Sequence, residues 1–287
     1  MMDISFYKLR LCDADLILVD DLSGGGRDRD WEAAARALLP RRRGAGADRM
    51  AVVSRAEADI WLRVFSAEGE GGPYADAALC AARYLLDSGR SGADTVLLRV
   101  AGQSEVEVDV LDSASLGIAL GPPRRVAPAG SGAERAPAAV VGLEEAAALA
   151  TLIEAGGTRY EVIPLRVGLP GTDAIAVFAE GPVARARARV RGDTGSSRGA
   201  AVAVRVVSRG ELRASAPPGP IIDSAAAAAL SLAAAAAAGR AEREAMVRLR
   251  AGAFWAEWTA RGALYVVGRP EYVYRGEFHL PDDQSRT

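Results

Sequence analysis

The stretch DSAAAAALSLAAAAAAG, Asp223 to Gly239, decides the fold. Its apolar run from Ala225 onward is alanine, the strongest helix former, and is too short to cross a hydrocarbon layer of about 30 Å. An alanine helix has almost no bulk on any face, so strands can approach it from every side; the expectation is a central helix wrapped by sheet. Asp223, immediately before the run, has the residue type that caps helix N-termini. A second helix of similar length is expected from Tyr74 to Leu86, inside PYADAALCAARYLLD (Pro73–Asp87), again after a loop.

These two helices belong to an internal repeat. VLLRVAG, ending at Gly102, is echoed by MVRLRAG, ending at Gly252, 150 residues on. GIALGPPRRV (Gly117–Val126) is answered by LYVVGRPEYV (Leu264–Val273), with Gly121 and Gly268 separated by 147. WLRVFS (Trp61–Ser66) is matched here to AVRVVS (Ala203–Ser208). Alternating runs such as VEVDVL and FWAEW suit half-buried strands. The expected fold class is therefore α/β (α+β), with two pseudo-symmetric domains, each a mixed or antiparallel sheet around a central helix. Boundaries are set at 1–126, with 273–282 as a strand that could complete the first domain, at 127–139 for a Pro-, Gly- and Ala-rich linker, and at 140–272. RGDTGSSRG, Arg191 to Gly199, reads as a hairpin or surface loop, and PDDQSRT as a frayed tail.

Composition narrows the function. With 35 basic and 37 acidic residues and a net charge of -2, the surface has no electrostatic reason to attract nucleic acid or anionic lipid. The N-terminus carries charges through its apolar stretch and reads as a strand, not a signal. Two cysteines, Cys12 and Cys80, support neither a disulfide framework nor a cysteine zinc site. A reducing cytoplasm fits. The one histidine, His279, speaks against His-based triads and His metal clusters. The expected partner is a small-molecule carboxylate, without nucleic acid or membrane, and a homodimer is permitted.

FYKLRLCDADLILVD, ADIWLRVFSAEGEG leading into PYADAALCAARY, VVSRG at 206 to 210, and LRAGAFWAEW through VVGRPEYVYRGEF resemble diaminopimelate epimerase. The wider resemblance takes in the phenazine-pathway isomerase and proline racemase. It implies two pseudo-symmetric α/β domains, each with a central helix, and no cofactor; the residues suggest no metal site, and the repeat by itself leads to the expectation that both helix N-termini face one substrate. The motifs depart from the epimerase pattern, however. Where the epimerase has cysteine, glycine, asparagine, glycine, this chain has Tyr74, Ala75, Asp76 and Ala77; the second cysteine position falls on Ser224. Its asparagines fall on Ala14 and Ser66, its glutamate on Ser208, and its glycine, asparagine, proline, histidine on Gly168, Leu169, Pro170 and Gly171. Arg209 matches the arginine and stands as a carboxylate partner.

The phenazine-pathway branch uses acids and a histidine instead of thiols. Asp223 matches its aspartate, Asp76 takes its histidine position, and Asp48 lies near its glutamate position. A related group of actinobacterial isomerases acts on pyrroline acids in alkylproline pathways to antibiotics. The resemblance thus implies a cofactor-free isomerase moving a proton and double bond in a small unsaturated acid. Asp223, Asp76 and Asp48 are the candidate catalytic residues; Tyr74, Ser224, Arg209 and Ser66 are the candidate substrate-binding residues. Bland readings stand beside each: Asp223 as a cap, Asp76 as a first-turn charge, Asp48 as a turn residue, Cys80 as core and Cys12 as a strand residue. An inactive relative acting as a scaffold, favoured by alanines at 75, 77 and 225 to 227, and an epimerase with unusual acid/base residues remain alternatives.

Overall fold

The computed structural model describes residues 2–24, 26, 29–100, 105–125, 140, 142–148, 151–155, 158–166, 173–178, 200–216 and 222–280. The expected linker at 127–139, the loop at 191–199, residues 168–171 and the tail at 281–287 lie outside the described residues. The chain divides into two compact units, Met1–Gly117 with Arg269–Thr287, and Ile118–Gly268. The division falls at 117 where the sequence suggests 126, and the chain returns to the first unit at Arg269.

In the first unit, β1 (Met2–Leu11) pairs antiparallel with β2 (Ala14–Asp21) and, on its other edge, with β18 (Glu271–Leu280). β2 runs parallel to β3 (Arg49–Ala56), β3 antiparallel to β4 (Asp59–Ser66), β4 parallel to β6 (Thr95–Val100), and β6 antiparallel to β7 (Val106–Val110). The two-residue strand β5 (Gly69–Glu70) folds back on β4. Two helices cover opposite faces. α1 (Trp31–Leu38), capped by Asp30, packs Trp31, Ala34, Ala35 and Leu38 on Ile4, Phe6, Ile17, Val19, Met50, Val52 and Phe65. Side chains alternate along a strand, so the odd-numbered residues of β3, Arg49 and Ala51 among them, point to the other face. That face meets α2 (Ala75–Asp87), which contacts β1, β2, β3, β4 and β7.

The second unit repeats this order. β11 (Thr158–Arg166) is antiparallel to β12 (Asp173–Phe178), β12 parallel to β13 (Ala200–Ser208), β13 antiparallel to β14 (Glu211–Ser215), β14 parallel to β15 (Glu244–Arg248), and β15 antiparallel to β16 (Ala253–Trp258). β17 (Leu264–Gly268) continues beyond β16 and pairs with β8 (Leu116–Gly121). β10 (Thr151–Ala155) and the short β9 (Arg124–Arg125) flank β11, and a one-turn helix, α3 (Leu143–Ala147), lies between them in the chain. The helix α4 (Ser224–Ala237) has every residue buried and contacts β11 to β17. No described helix is long and apolar enough to cross a membrane.

The topology corrects one echo read from sequence. β4, which leads into α2, corresponds by pairing to β14, which leads into α4; the segment Ala203–Ser208 lies in β13 and corresponds to β3. Leu62-Arg63 and Leu212-Arg213 then lie 150 residues apart, the same interval as Gly102 and Gly252. WLRVFS and AVRVVS look alike because both are half-buried strands ending in a polar turn.

The close wrapping of α4 has an energetic consequence. Ala229 is fully buried, and a leucine there adds three methylene-sized groups where strands abut the helix. Ala229→Leu should cost about 1–3 kcal/mol of stability through overpacking, measured as a lower urea midpoint at unchanged slope.

Candidate active site

In the first unit the loop Gly71-Gly72-Pro73-Tyr74 brings the chain from β5 to α2. Gly71 and Gly72 adopt positive φ angles of 120° and 103°, which a side chain rarely tolerates, and Gly71 N–H donates to the Val64 carbonyl at 2.8 Å. The turn leaves Tyr74 as N-cap and Asp76 in the first helical turn, both buried, with Asp76 only 4% exposed. Ser66, at the end of β4, is buried too; its Oγ accepts from Glu68 N–H at 3.2 Å and makes a long bond to the Gly69 carbonyl. Tyr74, Asp76 and Ser66 thus belong to one end of the α2 face of the sheet.

Asp48 has a different environment. It precedes β3 on the loop from α1; its carboxylate accepts from Asp15 N–H at 3.0 Å and pairs with Arg41 at 2.9 Å. Arg41 also grips Asp15 at 2.7 Å, and Lys8 lies 3.4 Å from the same carboxylate. Burial alone would raise the Asp15 pKa, but hydrogen bonds and charge from Arg41 and Lys8 hold it below the ordinary carboxylate value. Asp48 is therefore a member of an ion-pair cluster that ties the α1–β3 loop to β2. Its neighbour Arg49 is the residue that turns toward α2: Arg49 is 6% exposed and donates from Nη1 to the Pro73 carbonyl at 2.7 Å. Sequence reading missed Arg49; continuing the β3–β4 register of Met50 with Phe65 by one residue sets it opposite Ser66, a pairing that the string of letters does not record.

Neither thiol is suited to proton transfer. Cys12 occupies the two-residue turn between β1 and β2 with φ of 52°, so it is a turn residue and not the strand residue expected. Burial pushes its thiol well above the ordinary value, and the negative charges of Asp76, Asp13 and Glu271 push further. Cys80 is core, as expected, and burial followed by the Asp76 charge raises its thiol as well. Thiols held protonated are poor bases. His279 pairs with Asp3 at 2.6 Å on the exposed β1–β18 ribbon. Among the described residues no group of three or more His, Cys, Asp or Glu could hold a metal ion.

In the second unit Asp223 is the N-cap of α4 in extended conformation, φ −84° and ψ 169°, and its Oδ1 accepts from Ala226 N–H at 2.8 Å. It is 2% exposed, and Ser224 beside it is also buried. Arg209 is not with them. It sits in the β13–β14 turn, exposed, paired with Glu242 at 2.6 Å, and its Nη1 donates to the Gly239 carbonyl at 3.0 Å. Gly239 follows the C-terminus of α4, so Arg209 and Asp223 are separated by the full 14-residue helix, roughly 20 Å at about 1.5 Å per residue. The VVSRG match placed Arg209 one strand too early; the chain that runs into α4 leaves from Ser215, at the end of β14.

The fold has known counterparts. A PhzF-family phenazine biosynthesis protein from Enterococcus faecalis superposes with a TM-score of 0.64 at 13% identity, covering 97% of this chain and 100% of that one. A predicted epimerase from Pseudomonas aeruginosa gives 0.63 at 16% identity, with 97% and 100% covered. A probable proline racemase from Agrobacterium radiobacter gives 0.61 at 12% identity, with 99% and 94% covered. No protein-family model matches the sequence, and no curated protein matches it either. The chain has the diaminopimelate epimerase-like fold, a mixed α+β architecture.

Two stability outcomes follow from these contacts. Asp223→Ala should lose about 1 kcal/mol with the cap, whereas Asp223→Asn, which keeps an acceptor oxygen, should lose far less; thermal unfolding of both variants measures this. Because folding lowers the Asp15 pKa, its contribution is complete above the unfolded value of about 3.9 and is lost as pH falls through the folded value. Asp15→Asn should therefore reduce the difference in denaturation midpoint between pH 7 and pH 3.

Proposed function

We propose that this protein is a cofactor-independent, cytoplasmic isomerase that moves a proton, and with it a double bond, in a small unsaturated carboxylic acid derived from an amino acid, in secondary metabolism of the alkylproline type. One observation carries the reading: each unit buries a carboxylate at the N-terminal end of its central helix, Asp76 in the first turn of α2 and Asp223 as the cap of α4. Buried carboxylates are costly to keep, and clustering them at helix N-termini is an arrangement that acid/base sites use. The fold is shared with proteins described as a proline racemase, an epimerase and phenazine biosynthesis proteins, which supports isomerase-type chemistry on a small acid.

In the proposed step the Asp223 carboxylate removes a proton from a carbon adjacent to the conjugated system. The C–H electron pair becomes a new double bond, the old one shifts, and the Asp223 carboxyl, whose proton exchanges with solvent, delivers a proton to the far carbon of the allylic unit. No redox change occurs and no group leaves. The reading also assigns Asp76 as the assisting acid/base and Tyr74, Ser66 and Ser224 as contacts to substrate. Asp48 and Arg209 have no part in this reading, since each is engaged in its own ion pairs.

A second reading has its own support. Buried acids are also what a two-base epimerase with carboxylates requires, one group to remove the α-proton and one to return it from the opposite side. Incubation with conjugated cyclic imino acids in deuterated water separates the two. The isomerase reading expects solvent deuterium at the far allylic carbon with a shifted double bond, lowered at least a hundredfold in Asp223→Asn. Deuterium at the α-carbon with inversion would favour the epimerase. Absence of any exchange by the wild type would instead favour a binding protein, consistent with buried alanines at 75, 77 and 225 to 227.

A further inference from the structure

Arg49 is a buried charge with too few partners. It stands at the head of β3, 6% exposed, and one nitrogen, Nη1, donates to the Pro73 carbonyl at 2.7 Å. Among the described residues its Nε and Nη2 have neither a hydrogen-bond acceptor nor a carboxylate within 4.0 Å. Those nitrogens are not sealed either: among the described residues the side-chain atom that combines complete burial with no partner is Nε of Arg29. A guanidinium stays charged at any physiological pH, and a charge this buried is stable when an anion meets it. The Pro73 bond leaves the rest of the fork free while fixing its plane against the loop that leads into α2. Continuing the β3–β4 register of Met50 with Phe65 by one residue sets Arg49 opposite Ser66, on the sheet face that α2 covers.

We propose that Arg49, backed by the Ser66 hydroxyl, is the carboxylate-binding group of the first unit, the role that sequence resemblance assigns to Arg209. The planar fork of a guanidinium matches the two oxygens of a carboxylate, which a lysine at the same place could not do. Asp76, three residues beyond Pro73 and itself buried, disfavours a dianion such as phosphate and favours a singly charged acid. The partner chemistry is therefore a small monocarboxylate. This inference deepens the proposed isomerase reading and takes its substrate class from it, but binding and turnover are separately measurable.

The test is direct binding of cyclopent-1-ene-1-carboxylate and of its neutral carboxamide, by ligand-observed NMR or calorimetry at constant ionic strength. Wild type should bind the carboxylate at least tenfold more tightly than the carboxamide, and phosphate should compete poorly. Arg49→Gln should abolish the preference while leaving carboxamide binding unchanged; Arg49→Lys, which keeps the charge and serves if the glutamine variant does not fold, should lose about tenfold for the carboxylate. Equal binding of acid and amide by wild type, an unchanged preference in either folded variant, or phosphate competing as well as the acid overturns the proposal. Asp223→Asn should retain the preference, so an Arg49-dependent preference without any exchange would sink the isomerase reading and leave the carboxylate group standing.

Discussion

The structure depends on burying a helix that has no side chains to speak of. α4 is sealed on all sides by strands β11 to β17, and alanine makes this workable because it brings no bulk to be accommodated and no polar atom to be satisfied. The helix meets its own backbone hydrogen bonds except at its ends, and there Asp223 supplies an acceptor to Ala226 N–H. A leucine-rich helix would demand matching holes in every surrounding strand. Ser231, the polar residue in mid-helix, is absorbed by returning its hydroxyl to the Ala227 carbonyl at 2.7 Å.

The same arrangement concentrates chemistry at the helix N-termini. A helix wrapped by sheet can reach solvent or ligand through its ends, and its N-terminus carries partial positive charge. Carboxylates at Asp76 and Asp223 are suited to that field, while thiols held protonated by burial and by the Asp76 charge are not. The substitution of acid for sulfur is thus coherent with the local electrostatics: once Asp76 occupies the first turn of α2, a neighbouring thiolate would face a like charge. The ion pairs of the first unit serve another end. Arg41, Asp15, Asp48 and Lys8 fasten the loop after α1 to β2, which positions the start of β3 and with it Arg49.

Much of this was legible in the chain. The alanine run, the 150-residue interval and the alternation of the strands were enough to expect two similar units with central helices, because periodicity and propensity are local properties. Helix α2 runs from Ala75 to Asp87, within a residue of the expected Tyr74 to Leu86, and α4 from Ser224 to Ala237 lies inside the alanine stretch Asp223 to Gly239. Asp223 as a cap was likewise readable, since capping depends on the residue type and the run that follows it. The errors arose where resemblance of short strings stood in for pairing. VVSRG looked like a motif, yet Arg209 turned out to mark a hairpin at the far end of α4.

The sequence by itself thus determined the elements, the repeat and the acids at the helix N-termini, for these follow from propensity, spacing and residue type. Tertiary structure alone decided which strand answers which, that Asp48 is held by Arg41 while Arg49 turns to the α2 loop, and that Arg209 is remote from Asp223. The reason is that a strand alternates faces every residue: one step in register exchanges a surface ion pair for a buried charge, and nothing in a short string of letters records the step.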